Sequence, residues 1–231
     1  MTLRNKNARV AGLLYILASL VGVVRLIYVP TKLVVQGNAA ATANNIAAHE
    51  SLFRLGMVSE LLSSVLWIFV TLALYRLLKE VDSSLAALMV ILGGVLPVSL
   101  FFFNTVNDAA TMLLVRGVDF LSVVDKPQRD ALAMLFLNLH HHVNLVNAIF
   151  WGLWLLPFGL LVYRSPVMPR FLGIWLMLGC FPNLLFSVTG ILAPGHEDKV
   201  FTLGQPVMLG EVATMLWLAI LDAKEPGVPA S

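Results

Sequence analysis

Apolar residues in this chain come in long unbroken blocks. By length they predict six membrane-crossing helices, over about residues 9–29, 55–78, 85–108, 131–163, 171–193 and 203–222. A helix needs about 20 residues to cross the hydrocarbon core. The fourth block is longer than that and is expected to tilt or protrude. A transmembrane barrel would need short segments of alternating polarity, and the runs do not alternate. KEVDSS and RSPVMPR predict short turns, and longer segments follow the first, third and fifth spans. QGNAAATANNIAAHE predicts a short interfacial helix, and residues 109–127 an extension of span three before the loop VDKP. No repeat and no soluble domain stands out. The expected fold is all-α, one polytopic membrane bundle over residues 1–231.

The opening run, MTLRNKNARVAGLLYILASLVGVV, has the basic start and apolar core of a signal peptide. No small-residue cleavage site follows closely, because Arg25, Leu26, Ile27, Tyr28 and Val29 come next. A retained first span is therefore expected.

Composition agrees with a membrane solvent. Hydrophobic residues make up 59% of the chain and charged residues 12%, against about 25% charged in a soluble domain. Mean hydropathy is +0.87. The first expected partner is the lipid bilayer. A net charge of +2 with no basic run excludes a nucleic-acid partner. Cys180 is the only cysteine, so no intrachain disulfide forms, and it reads as a small packing residue.

Lysine and arginine placement predicts that both chain ends face the cytoplasm. Arg4, Lys6, Arg9, Arg76, Lys79, Arg164, Arg170 and Lys224 then lie inside, against the acids Glu80, Asp82, Asp222 and Glu225. The outer loops hold Lys32, Arg116, Lys126, Arg129 and Lys199, with Arg54 at the entry to span two, and are richer in acids, with Glu50, Asp119, Asp125, Asp130, Glu197 and Asp198, so the bias is modest.

An ionisable side chain within a membrane is expensive unless paired or hydrated, so each one is a functional candidate. Arg25, Glu60, Asp108, the histidines of NLHHHVN and Glu211 are such residues, and all fall in the outer half of the predicted spans. Helical phase then aligns polar stripes. Span two carries Gly56, Glu60, Ser63, Ser64, Trp67 and Thr71. Span three carries Pro97, Asn104, Asn107, Asp108 and Thr111, and span four His140, Asn144, Asn147, Trp151 and Trp154. Span six aligns Gly204 with Glu211, and span one aligns Arg25 with the small residues Ala11, Ala18 and Gly22. Converging stripes predict a polar pocket open to the outside, lined by Arg25, Glu60, Asn104, Asn107, Asp108, His140, Asn144, Asn147 and Glu211.

Three consecutive histidines spread over about 200° of helix, so they cannot share one ion. His140 alone aligns with Asn144 and Asn147, while His142 shares the opposite face with Asn138. A metal site needs ligands from other helices, and Glu60, Asp108 and Glu211 are the candidates beside His140. Arg25 against three carboxylates leaves a net negative charge that burial does not tolerate. A divalent cation, an organic cation or a bound proton would balance it. Histidine with carboxylate suits zinc or another transition metal. Each residue also has a plain structural reading. Arg25 can snorkel to headgroups, Glu60 and Glu211 can make a structural hydrogen bond or pair with Arg25, Asp108 can cap a helix, the histidines can form an interfacial cluster, and the asparagines can join helices.

The segments ARVAGLLYIL, SELLSSVLWIFVTLALYRLLKEVD and NAIFWGLWLLPFGLLVYRSPVMPRFLGIWLMLGC resemble the bacterial multi-pass family called domain of unknown function DUF4386. The resemblance covers nearly the whole chain. Its most specific part runs from Trp154 to Gly173. It implies about six membrane helices and a bacterial cytoplasmic membrane, and it implies no catalytic residue. Pro157, Gly159, Ser165, Pro169 and Gly173 read as a helix–turn–helix packing device.

Four functional readings follow. The first is a membrane protein whose outward-facing pocket binds a small ligand or cation. The others are a metal-dependent membrane hydrolase, a structural or accessory subunit, and a small-solute transporter.

Overall fold

A computed structural model describes residues 3–166 and 168–220. The last two residues of the predicted sixth span, the topology-marking Asp222, Lys224 and Glu225, Val167 and the side chain of Arg4 lie outside the described residues. The described residues form helices joined by short turns and loops, with no strand among them.

Among the described residues, six helices are long and apolar enough to cross a membrane: Asn5–Leu33, Glu50–Leu78, Ser83–Arg116, Lys126–Arg164, Arg170–Leu192 and Glu197–Ile220, spans one to six. Large apolar side chains such as Leu13, Leu20, Phe103, Phe181 and Leu203 remain exposed on them. Such a surface suits lipid, and the chain is a multi-pass membrane protein.

Several spans run past the apolar blocks that foretold them. Hydropathy marks only the greasy stretch, whereas a helix satisfies its own backbone and continues into polar residues. Two i, i+4 ion pairs support those polar ends: Arg54 with Glu50 and Lys126 with Asp130, each at 2.7 Å. The extension after span three stops at Gly117, whose φ of +58° suits a helix C-terminus. The Ala/Asn-rich stretch forms the helix Ala39–Ala48, and the Asn38 side chain accepts from Ala41 N at 2.9 Å as its N-cap.

Prolines shape the spans. π-helical stretches at Val24–Tyr28 and Ile91–Val95 each end just short of a proline, Pro30 and Pro97. A proline ring clashes with the preceding turn and brings no N–H, and a wider turn accommodates it. The Gly93 carbonyl, in the turn before Pro97, accepts the Trp67 Nε1–H at 2.5 Å. Changing Trp67 to Phe leaves that carbonyl without this donor. The expected loss is about 1–2 kcal/mol, read as a lower thermal midpoint. An unchanged midpoint would contradict the assignment.

The chain divides into two compact units. One comprises the described residues within Met1–Leu17, Leu66–Val98 and Leu145–Ser231; the other comprises Ala18–Val65 and Ser99–Asn144. In the first, Tyr15 meets the Trp67 ring edge-on at 5.0 Å, Trp67 lies 5.8 Å from Trp154, and Trp154 stacks on Phe158 at 5.1 Å. Spans four and five meet at glycines. A Cβ on Gly159 would stand 2.6 Å from the Gly173 carbonyl oxygen. Pro169 is the N-cap residue of span five. The Pro/Gly signature is thus a close helix crossing.

In the second unit, Val29, Leu33, Ile46, Phe53, Met112 and Leu137 form an apolar core. The helix Ala39–Ala48 folds back on span one, where Asn45 Nδ2 donates to the Leu33 carbonyl at 3.2 Å. Small residues let spans one and two approach. Ser63 Oγ donates to the Ala18 carbonyl at 2.9 Å, and a Cβ on Gly22 would stand 2.8 Å from Ser63 Oγ.

Candidate functional site

Within this second unit, four spans each bring one ionisable side chain to a buried cluster. Arg25 comes from the π-helical stretch of span one, Glu60 from span two, Asp108 from span three and His140 from span four. Their exposures are 4%, 6%, 0% and 5%. Charged residues this deeply enclosed must be paired.

Arg25 and Asp108 are paired well. Arg25 Nε donates to Asp108 Oδ2 at 2.7 Å and Nη2 to Oδ1 at 2.5 Å, a two-pronged guanidinium–carboxylate contact. The guanidinium carbon lies 5.7 Å from the centre of the Phe53 ring, within cation–π range. Arg25 therefore does not snorkel to headgroups.

His140 is held from behind. Its Nδ1 lies 3.0 Å from Asp108 Oδ1 and 3.1 Å from Arg25 Nη2. A guanidinium only donates, so Nδ1 either accepts from Arg25 or donates to Asp108. Under both tautomers the other nitrogen, Nε2, lies on the Glu60 side, 3.7 Å from Oε1. That separation is too long for a hydrogen bond. The second Glu60 oxygen, Oε2, is buried with no hydrogen-bond partner.

Charge counting locates the deficit. Arg25 balances Asp108, so the Glu60 carboxyl, once ionised, is the group left over. A compensating positive charge belongs at the Glu60–Nε2 edge, because both Asp108 oxygens already accept from Arg25.

The asparagines are spent on one another and on the backbone. Asn104 Nδ2 donates to the His140 carbonyl and to Asn144 Oδ1, both at 3.2 Å. Asn107 Nδ2 donates to Asn104 Oδ1 at 3.1 Å. Thr111 Oγ1 donates to the Asn107 carbonyl at 3.0 Å. This ladder joins spans three and four and fixes the backbone that carries His140, which is the helix-joining role.

Seven of the nine pocket residues expected from helical phase thus lie in one unit: Arg25, Glu60, Asn104, Asn107, Asp108, His140 and Asn144. Asn147 and Glu211 belong to the other. Asn147 Nδ2 donates to the Pro97 carbonyl at 3.3 Å, and Glu211 accepts from the Tyr15 hydroxyl. His141 and His142 are exposed. His142 Nδ1 lies 2.8 Å from the Asn138 carbonyl oxygen one turn back, on the face opposite His140.

Among the described residues, Glu60, Asp108 and His140 each offer a ligand atom, all within 4.8 Å of one another. Arg25 reduces what Asp108 has left to give, so Glu60 and His140 are the open pair.

Sequence reasoning missed one partner in each unit. Tyr15, the partner of Glu211, falls between Ala11 and Ala18 on the stripe that carries Arg25, and that spacing could have found it. Phe53 gives no signal apart from its place one turn before Gly56.

The family profile described as Domain of unknown function (DUF4386) matches residues 10–221. No curated protein and no solved structure matches the chain.

Proposed function

We propose that this chain, which belongs to the DUF4386 family, binds a small cationic ligand at the Glu60–His140 edge of its buried cluster. The observation that carries this reading is the enclosed Glu60 Oε2 without a partner, in a cluster one positive charge short of neutral when Glu60 is ionised. In the asparagine ladder, by contrast, Asn104 is bonded through both its amide nitrogen and its amide oxygen. The proposal includes a topology. Both chain ends face the cytoplasm, the binding edge is reached from the outer side, and the membrane is a bacterial cytoplasmic one. The lysine and arginine distribution supports that orientation.

The accessory-subunit reading accounts for the asparagines but not for Glu60. A carrier would have to release the ligand on both sides. Flux into proteoliposomes that is abolished in Glu60→Gln would identify one.

Thermal unfolding of detergent-purified protein tests the binding reading. Wild type and Glu60→Gln are compared across monovalent, alkaline-earth, transition-metal and organic ammonium ions. A ligand at a hundred times its Kd stabilises by about 2.7 kcal/mol. At least one cation class should raise the wild-type midpoint and leave Glu60→Gln unmoved. If no class raises it, the reading fails.

A further inference from the structure

We infer that the ligand is a divalent transition metal held by His140 Nε2 and the Glu60 carboxylate, with Asp108 positioning the histidine from behind. This rests on the cation-binding reading and narrows it.

Spacing is the first argument. Nε2 and Oε1 stand 3.7 Å apart. Donors bound at about 2.1 Å to a tetrahedral ion stand roughly 3.4 Å apart. The gap that is too wide for a hydrogen bond is close to that width. Oε2, buried and unpartnered, is free to complete a two-oxygen grip or to accept from a metal-bound water.

Donor chemistry is the second. Imidazole nitrogen beside carboxylate oxygen suits zinc, cobalt, nickel or manganese, whereas magnesium and calcium favour oxygen alone. An organic ammonium ion favours aromatic faces, and Phe53, the ring beside the cluster, already lies within range of Arg25.

The third argument is the support behind the ring. Metal-ligating histidines commonly donate their other N–H to a carboxylate, which fixes the tautomer and turns the free lone pair toward the ion. Asp108 Oδ1 stands 3.0 Å from His140 Nδ1 in that position. Arg25 in turn holds Asp108 by two hydrogen bonds. The same guanidinium repels a metal from the Nδ1 side and leaves the Glu60 side as the place for one. Asn104 braces the backbone of the ligating residue through its bond to the His140 carbonyl. Two protein ligands leave coordination positions for water or for a further small ligand, as in open metal sites.

The test is elemental analysis of protein stripped with chelator and reloaded with zinc, for wild type, Glu60→Gln, His140→Ala and Asp108→Asn. About one zinc per wild-type chain is expected, with none in Glu60→Gln or His140→Ala. Asp108→Asn should keep the metal with an affinity about 10–100-fold weaker. If Asp108→Asn binds as tightly as wild type, or loses zinc as fully as Glu60→Gln, the positioning role is overturned. Should that variant fail to fold, zinc X-ray absorption of the wild type decides. One imidazole nitrogen with oxygen donors supports the site, and two imidazoles or a sulfur donor overturns it. A wild type that takes up no transition metal while another cation raises its midpoint overturns this inference and leaves the cation site standing. If no cation of any class does so, both fail.

Discussion

Asp108→Ala will lower the unfolding free energy by about 3–5 kcal/mol, the scale for stranding one partner of a buried ion pair. Asp108 is fully enclosed and Arg25 is 4% exposed, so neither side chain can turn to water. Removing the carboxylate leaves a guanidinium in an apolar interior and takes away the group behind His140. Arg25→Met should do at least as much damage, because it leaves Asp108 and Glu60 facing each other across His140 with no fixed cation. Changing both, Arg25→Met with Asp108→Leu, should recover most of the loss, because the pair's desolvation is large and apolar replacements avoid it. Thermal or denaturant unfolding of the three variants beside wild type measures this. A double variant no more stable than the singles would contradict the isolated-pair account and implicate the wider network.

Gly173→Leu will prevent the chain from reaching its folded, monodisperse form. A Cβ there would lie 2.5 Å from the Gly159 carbonyl oxygen and 2.6 Å from Tyr163 N. Those atoms are backbone, so no rotamer change relieves the clash, and spans four and five must separate. Even Gly173→Ala is expected to cost about 1–3 kcal/mol, the range for overpacking a tight contact. Leu178→Ala, at an exposed position of the same helix, should stay within about 0.5 kcal/mol of wild type. Size-exclusion profiles and unfolding midpoints read both effects. A Gly173→Leu protein with wild-type behaviour would contradict the close crossing.

Much of this arrangement could be read from residue order alone. The apolar blocks specified six helices, because backbone in lipid has few alternatives. Helical phase placed Glu60, Asp108 and His140 on inward faces and His142 on the opposite face. The bonding of Arg25 was harder to read. A long cationic side chain near a helix end can reach headgroups, and only the position of Asp108 on another span shows that it does not. The π-helical stretches left no periodicity signal, since a one-residue widening scarcely changes an apolar pattern, although the prolines that follow them were visible. Glu211 and Asn147 share a stripe phase with the cluster residues on their neighbours. Phase says which way a side chain faces, however, and says nothing about which partner lies at its depth. Tyr15 and the Pro97 carbonyl are those partners.

The central claim is that Glu60 serves a ligand and not the fold. Its most direct test is the unfolding free energy of Glu60→Gln against wild type in buffer stripped of multivalent and organic cations. The amide keeps the shape of the side chain and removes the unbalanced charge, so Arg25 and Asp108 are left neutral as a pair. The account predicts that Glu60→Gln is at least as stable as wild type under these conditions, and less stable than wild type only once a bound cation is supplied. A variant clearly less stable than wild type without any cation would show that the carboxylate holds the bundle together, and would contradict the claim.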